Sequence, residues 1–407
     1  MKIHKISSHV FMTVLFSLFP VYDLSAQSTM IEVSGDIAAD TTWSADTVKV
    51  TGDVTVQDDI TLTIIPGTYV EFQGYYSLRV KGSLKAEGST GDTIIFTIKD
   101  TTGFKNMESP LGGWNRIIFD NGSSDYGADG AMNDNDSSVI SFCILEYSKD
   151  TTQDRIEWGP TPEIGGGAIQ IMEFSKLKIT NSIFRYCRSN DFGGAIHCYR
   201  HSDIMIKGNY FTHNVAVNGG AISTVESNPL IIQNSIINNS CLRTEDQSIW
   251  SWESHGGGIF CNMMKPVIKN NDIRYNTARF GPGIACISSN PIIEENTVAY
   301  NYTFRNDGHG RGGGIYLYEN SNAKIINNLI SNNFAFHGGG IGCMLSNPTI
   351  FNNLIANNSS GDRGGGVECS YSSPILTNNT IVHNKAWKGG GIYCIHESYP
   401  KLLNCIV

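Results

Sequence analysis

The chain has 407 residues, is 40% hydrophobic and carries a net charge of −9 with only 16% charged residues. That is enough apolar material for a large core, and the acidic balance excludes a nucleic-acid-binding role, which needs a basic face. Few charges together with many Gly, Asn, Ser and Thr residues fit an exported β-protein and not a disordered chain.

At the start of the chain, Lys2 and Lys5 precede an apolar run from Val10 to Val21 and then Leu24-Ser25-Ala26. Residues 1–26 therefore read as a secretory signal peptide, placing the mature protein outside the cell or on its surface. The run is shorter than the ~20 residues of a membrane span, and no later stretch reaches that length, so no transmembrane segment is expected after the leader.

Residues 27–137 read as a cap followed by irregular first coils. Val48-Lys49-Val50-Thr51-Gly52-Asp53-Val54 and Leu78-Arg79-Val80-Lys81-Gly82-Ser83-Leu84 match at a step of 30 residues. Ile94 to Ile98 and Ile117 to Phe119 supply further strands.

From 138 to 407 the sequence is a regular array. A phrase of glycines and then an aliphatic residue recurs with Ile169, Ile196, Ile222, Ile259, Ile284, Ile315, Ile341, Val367 and Ile392, at steps of 27, 26, 37, 25, 31, 26, 26 and 25 residues. A fixed period in this range signals a solenoid. A second phrase, Pro-x-(Ile/Leu)-x-x-Asn-x-(Ile/Val)-x-x-Asn, is complete at Pro229, Pro266, Pro291, Pro348 and Pro374. It sets up two asparagine columns, Asn209 to Asn379 and Asn214 to Asn384. Apolar residues two apart indicate strands, and no repeat has the Gly-, Pro- and Asn-free run that a helix requires. The fold class expected is all-β: one parallel β-helix of roughly 11–13 coils with three short strands per coil. Gly and Asn suit its corners because both tolerate positive φ, and stacked asparagines can hydrogen-bond along the axis.

These phrases resemble the right-handed β-helix repeat superfamily, whose fold is shared with pectate lyases. Phe211-x-x-Asn214 followed by Gly219-Gly220-Ala221-Ile222 is also similar to the repeats of polymorphic outer-membrane proteins. The resemblance covers roughly residues 165–407 and implies the right hand, which the crossover rule supports. It implies no single chemistry, since one scaffold carries many functions.

Six cysteines (Cys198, Cys261, Cys286, Cys343, Cys369, Cys394) stand two residues after the repeated aliphatic, facing inward. Side-by-side Cβ vectors suit a disulfide poorly, so these read as small buried apolar residues. The repeated glycines open strands and follow no P-loop pattern, so they read as corner geometry and not as a phosphate cradle.

Chemistry is expected at the insertions 149–164, 240–255 and 302–311. All fall between the second asparagine column and the glycines, at the first, fourth and sixth coils of the array, roughly 14 Å and then 10 Å apart along the axis. Loops on a rigid scaffold commonly carry function. Trp158, Trp250, Trp252, Phe304, His309, Arg311 and His337 are the candidate ligand contacts, because aromatic faces stack on sugar rings as well as on side chains; the alternative is that the Trp side chains fold their loops onto the solenoid. The residue before the glycines is His255, Phe280, Arg311, His337, Arg363 and Lys388 in successive coils. This makes either a basic stripe able to track an acidic polysaccharide or a row of solvated turn residues.

The leading expectation is a secreted or cell-surface protein that binds a polysaccharide or cell-surface glycan along this corner, as in adhesion. The rival is a polysaccharide lyase or hydrolase, with Arg311, Arg363, Lys388 or His255 as catalytic candidates. A third reading is a passive stalk. No cofactor is expected; the oxygen-rich loop carrying Asp125, Asp129, Asp134 and Asp136 is either a calcium site or an acidic solvated loop, its spacing matching no EF-hand. The bare last repeat is expected to invite association through its open end.

Overall fold

The computed structural model describes residues 28–120, 137–151, 165–174, 176–242, 254–304 and 308–407. The proposed leader, Trp158, Trp250, Trp252 and the acidic candidates Asp125, Asp129, Asp134 and Asp136 lie outside the described residues. Among the described residues the regular structure is entirely strand. Among the described residues no helix is long and apolar enough to cross a membrane.

The chain winds as a parallel β-helix. A 13-stranded sheet runs along the axis from Thr41–Trp43 to Lys401–Leu403, one strand per coil. Two further ladders merge into one 24-stranded sheet. They merge because Thr47–Val56 runs through a corner, pairing with Tyr69–Phe72 on one side and Leu78–Val80 on the other. Each regular coil thus supplies three strands of three or four residues. From Lys149 onward a short fourth strand is added, and these form an eight-stranded sheet ending at Ser359–Arg363.

Register keeps like residues over like. Ile222 lies on Ile259, then Ile284, Ile315, Ile341, Val367 and Ile392. From Ile222 to Val367 these side chains have no exposed surface, each contributing about 1.5–3 kcal/mol of burial. Ile206 to Leu376 and Phe211 to Ile381 line the other two walls and complete one continuous core.

The glycines do what close coil packing demands. Gly338 sits at φ 64°, and a Cβ on Gly339 would meet the Ser359 carbonyl oxygen at 2.4 Å. The asparagine columns form continuous ladders. Asn271 Nδ2 donates to Asn296 Oδ1 at 3.0 Å and to the Ile231 carbonyl at 2.9 Å, while its Oδ1 accepts from the backbone N–H and Nδ2 of Asn234. Every donor and acceptor of that buried amide is satisfied.

The residue before each ladder asparagine is left-handed. Glycine and asparagine hold many of these places (Gly208, Asn238, Asn270, Asn327, Asn332, Asn352, Asn357 and Asn378), and Gln233 (φ 56°), Tyr275 (φ 55°), Glu295 (φ 54°) and Tyr300 (φ 56°) hold others. This conformation costs a non-glycine residue about 1–2 kcal/mol; here it aims the next asparagine inward, and the ladder bonds offset the cost. All ten cysteines are free, with Cys343, Cys369 and Cys394 stacked in register. Burial pushes the thiols of Cys143, Cys187 and Cys241 up to about 12, so they stay protonated.

Candidate functional site

The three insertions leave from one corner. Their described flanks, Thr151 and Gly165, Leu242 and Ser254, and Phe304 and Gly308, each follow a strand of the eight-stranded sheet. That sheet places Lys149–Asp150, Ser240–Cys241 and Tyr302–Thr303 first, fourth and sixth in its order.

Immediately beyond, the residues before the glycines form a bridged column. His255 pairs with Phe280, Phe280 with Arg311, Arg311 with His337, His337 with Arg363, and Arg363 with Lys388. Two earlier coils place Phe192 and Asn218 in the same column. From Phe192 to Lys388 the column spans seven coil steps, roughly 34 Å at the ~4.8 Å strand spacing. It divides into two chemically different halves.

The first half is aromatic. Phe192 lies 6.0 Å from Phe260, His255 is 5.9 Å from Phe260 and 5.0 Å from Phe280, and Phe280 is 5.4 Å from Tyr316. Phe260 and Tyr316 sit between inward residues on the strands that open after the glycines, so strand alternation turns them outward. His255 is buried, its Nδ1 donates to Asn218 Oδ1 at 3.2 Å, and burial and then Arg279 lower it to about 3. It is a neutral packing residue.

The second half is charged. Glu368, only 1% exposed, accepts from Arg311 Nη1 at 2.9 Å and 3.0 Å, and from Arg363 Nε at 3.1 Å. Asp362 lies 3.5 Å from His337 Nδ1 and 3.9 Å from Lys388 Nζ. The stripe is therefore three cations, Arg311, Arg363 and Lys388, set against two carboxylates, and the free basic row expected from sequence is largely compensated. His337 is lowered to about 4, first by burial and then by Arg311 and Arg363, so its imidazole is neutral at pH 7. Burial raises the Tyr316 phenol, which keeps its proton. At the far end Trp387 is 78% exposed, with Lys388 Nζ 4.4 Å above its ring. Phe304 is half-buried beside the sixth-coil insertion, and His309 is exposed two residues before Arg311.

Glu368, Asp362, Tyr316 and Trp387 were not singled out by the sequence reading. A signal existed for Glu368. The place between the repeated aliphatic and the residue two on holds Gln170, His197, Ser223, Phe260, Ala285, Tyr316, Gly342, Glu368 and Tyr393, and only one of these is a carboxylate.

A family model described as the right handed beta helix region matches residues 124–334 and 252–407. Among solved structures, a mutant of the periplasmic alginate epimerase AlgG is similar at TM-score 0.44 and 15% identity, covering 89% of this chain and 77% of that one. The unmutated AlgG gives TM-score 0.41 at 14% identity, with the same coverage. No curated protein matches the sequence.

Proposed function

The chain belongs to the right-handed β-helix family, and on that footing we propose that it is an exported protein that binds an extended acidic glycan along the corner running from Phe192 to Lys388. The observation that carries this reading is the register of Arg311, His337, Arg363 and Lys388 in successive coils. With His337 neutral, that register sets cations two coil steps apart and then one, multiples of a spacing near the rise of a sugar residue, and ends at the exposed ring of Trp387. A glycan carboxylate competes there for Lys388 and for the guanidinium donors left over by Glu368, while Trp387 offers a stacking face. The insertion residues Trp158, Trp250 and Trp252 are the contacts proposed to extend it.

The test is titration of galacturonate and mannuronate hexamers into the intact chain. Affinity should fall about tenfold or more in the Trp387→Ala/Lys388→Glu double variant, equivalent to ~1.4 kcal/mol. Binding that survives both this variant and the Trp250→Ala/Trp252→Ala pair removes the proposed contact surface.

A second reading, a polysaccharide lyase or hydrolase, is favoured by one constellation: neutral His337 and protonated Tyr316 beside two guanidiniums that share a buried carboxylate. A neutral imidazole can accept a proton, a phenol can donate one, and Arg311 and Arg363 can stabilise developing negative charge. Assays for new reducing ends and for unsaturated, ultraviolet-absorbing products decide between the readings. Turnover abolished by His337→Gln supports an enzyme, and no product from any acidic glycan supports binding alone.

A further inference from the structure

Among the described residues, seven arginines from Arg79 to Arg363 have a carboxylate oxygen within 4.0 Å. Arg188 has none, and its partner across the ladder is a second cation, Lys149, in register one coil below. Lys149 is the one fully buried lysine among the described residues. Between Ile98 and Trp114 the chain makes a strap over the pair. Lys149 Nζ donates to the carbonyls of Gly103 at 3.2 Å and Leu111 at 3.0 Å, and Lys149 and Arg188 flank the Phe104 ring at 5.9 Å and 6.0 Å. Arg188 Nε donates to Met107 Sδ at 3.2 Å, while its two Nη groups make no hydrogen bond to the described residues and reach the surface.

Carbonyl dipoles and a ring face satisfy donors without neutralising charge. Two like charges one coil step apart and partly out of water are unfavourable, and burial lowers both groups, Lys149 to about 8 with Arg188 as the second cause. The chain carries a net charge of −9, yet no acid stands here. Glu108, next to Met107 on the strap, is exposed and pairs with neither cation. Desolvated, uncompensated charge of this kind clusters at functional sites.

We propose that Arg188, with Lys149 behind it, is a subsite for one oxyanion of an acidic glycan, a uronate carboxylate or a sulfate ester, at the end of the corner opposite Lys388. The free Nη edge of the guanidinium donates to two oxygens side by side. Lys149, out of reach of the ligand, adds its field from behind through low-dielectric packing. The strap already holds both cations, so little freedom is lost when the anion enters. Arg188 opens the corner strand that leads to Phe192, and its column climbs through uncharged residues, Val215 to Ser359, to Lys385. From the Arg188 coil to the Lys388 coil there are seven steps, roughly 34 Å, with a cation at each end. The proposal rests on the glycan reading of that corner and gives it a second charged end.

The experiment is calorimetric titration of two octamers, galacturonate and a sulfated glucan without carboxylates, into the intact chain and its variants. In Arg188→Met, affinity for at least one octamer should fall about tenfold or more. The melting temperature should stay within a few degrees of the parent, since the substitution removes one side-chain bond, to Met107. Arg188→Gln, a second neutral variant, should behave alike, and Arg188→Lys, which keeps the charge, should recover much of the loss. The octamer that loses affinity names the group. Equal affinity of both octamers for the parent and for a folded neutral variant overturns the subsite; if Trp387→Ala/Lys388→Glu still weakens binding, the corner reading stands without it. Loss in Arg188→Met with none in that double variant supports the subsite and overturns the Phe192–Lys388 contact surface. No binding of either octamer to the parent overturns both.

Discussion

A buried asparagine in this molecule is a structural bond, and its loss is correspondingly expensive. Asn271→Ala removes the acceptor of the Asn234 backbone N–H and of one Asn234 Nδ2 hydrogen, and the side-chain donor to the Ile231 carbonyl, all in a closed core. Urea unfolding should show a loss of about 2–4 kcal/mol. Asn352→Ala, which removes an exposed side-chain bond to Asn327 at a left-handed position (φ 54°), should cost about 1 kcal/mol, chiefly through the backbone conformation that alanine tolerates less well. Histidine sets the acid limit. His255 and His337 are depressed in the folded state to about 3 and about 4, below the ~6.5 of an unfolded histidine. The unfolded chain therefore takes up protons first as pH falls, and stability present above pH ~6.5 is lost on the way down to about 4 for His337 and about 3 for His255. The melting temperature should drop across that window and drop less in His255→Asn; a flat profile would refute burial of neutral imidazoles. At this scale the sequence was half legible. Two unbroken asparagine columns announced the ladders, and asparagine holds many of the left-handed places beside them; the places held by Tyr275, Glu295 and Tyr300 are illegible because tyrosine and glutamate do not favour positive φ.

The strands were legible because their period is enforced by packing. Each inward aliphatic needs the one above it, and a slip of one residue would turn the whole set outward. A third ladder went unread: Ser289, Ser321, Ser346, Ser372 and Ser398 pass backbone N–H to Oγ bonds from coil to coil at 3.0–3.2 Å. Its signal was the serine two places before Pro291, Pro348, Pro374 and Pro400. The cluster around Glu368 was harder to see, because its partners Arg311 and Arg363 are 57 and 5 residues away in sequence and meet it only once three coils are stacked. The insertions are separable from this scaffold. Removing residues 242–253 joins Cys241 to Ser254 and His255, the same length as Ala278-Arg279-Phe280 one coil on. That variant should keep its β circular-dichroism spectrum and melt within a few degrees of the parent while binding acidic glycan about tenfold more weakly. Collapse of the fold would mean that the insertion supports the solenoid.

Among the described residues one face of the molecule is a ladder of 13 stacked strands, about 58 Å from first to last. A scaffold of this kind makes binding additive along the axis, since each coil touches only its neighbours. The proposed corner uses seven of those steps, enough for a chain of several sugars, and joins an aromatic half to a charged half. Acidic glycans should therefore bind more weakly as salt rises, with a residual affinity from the rings that salt does not screen. The most direct measurement is calorimetric titration of a hexameric uronate into the intact chain and into the Trp387→Ala/Lys388→Glu variant. Saturable binding that weakens with salt, and about tenfold or more in the variant, is the predicted result. Equal affinity in the two proteins, or no binding of any acidic glycan to the parent, would contradict a glycan-holding corner.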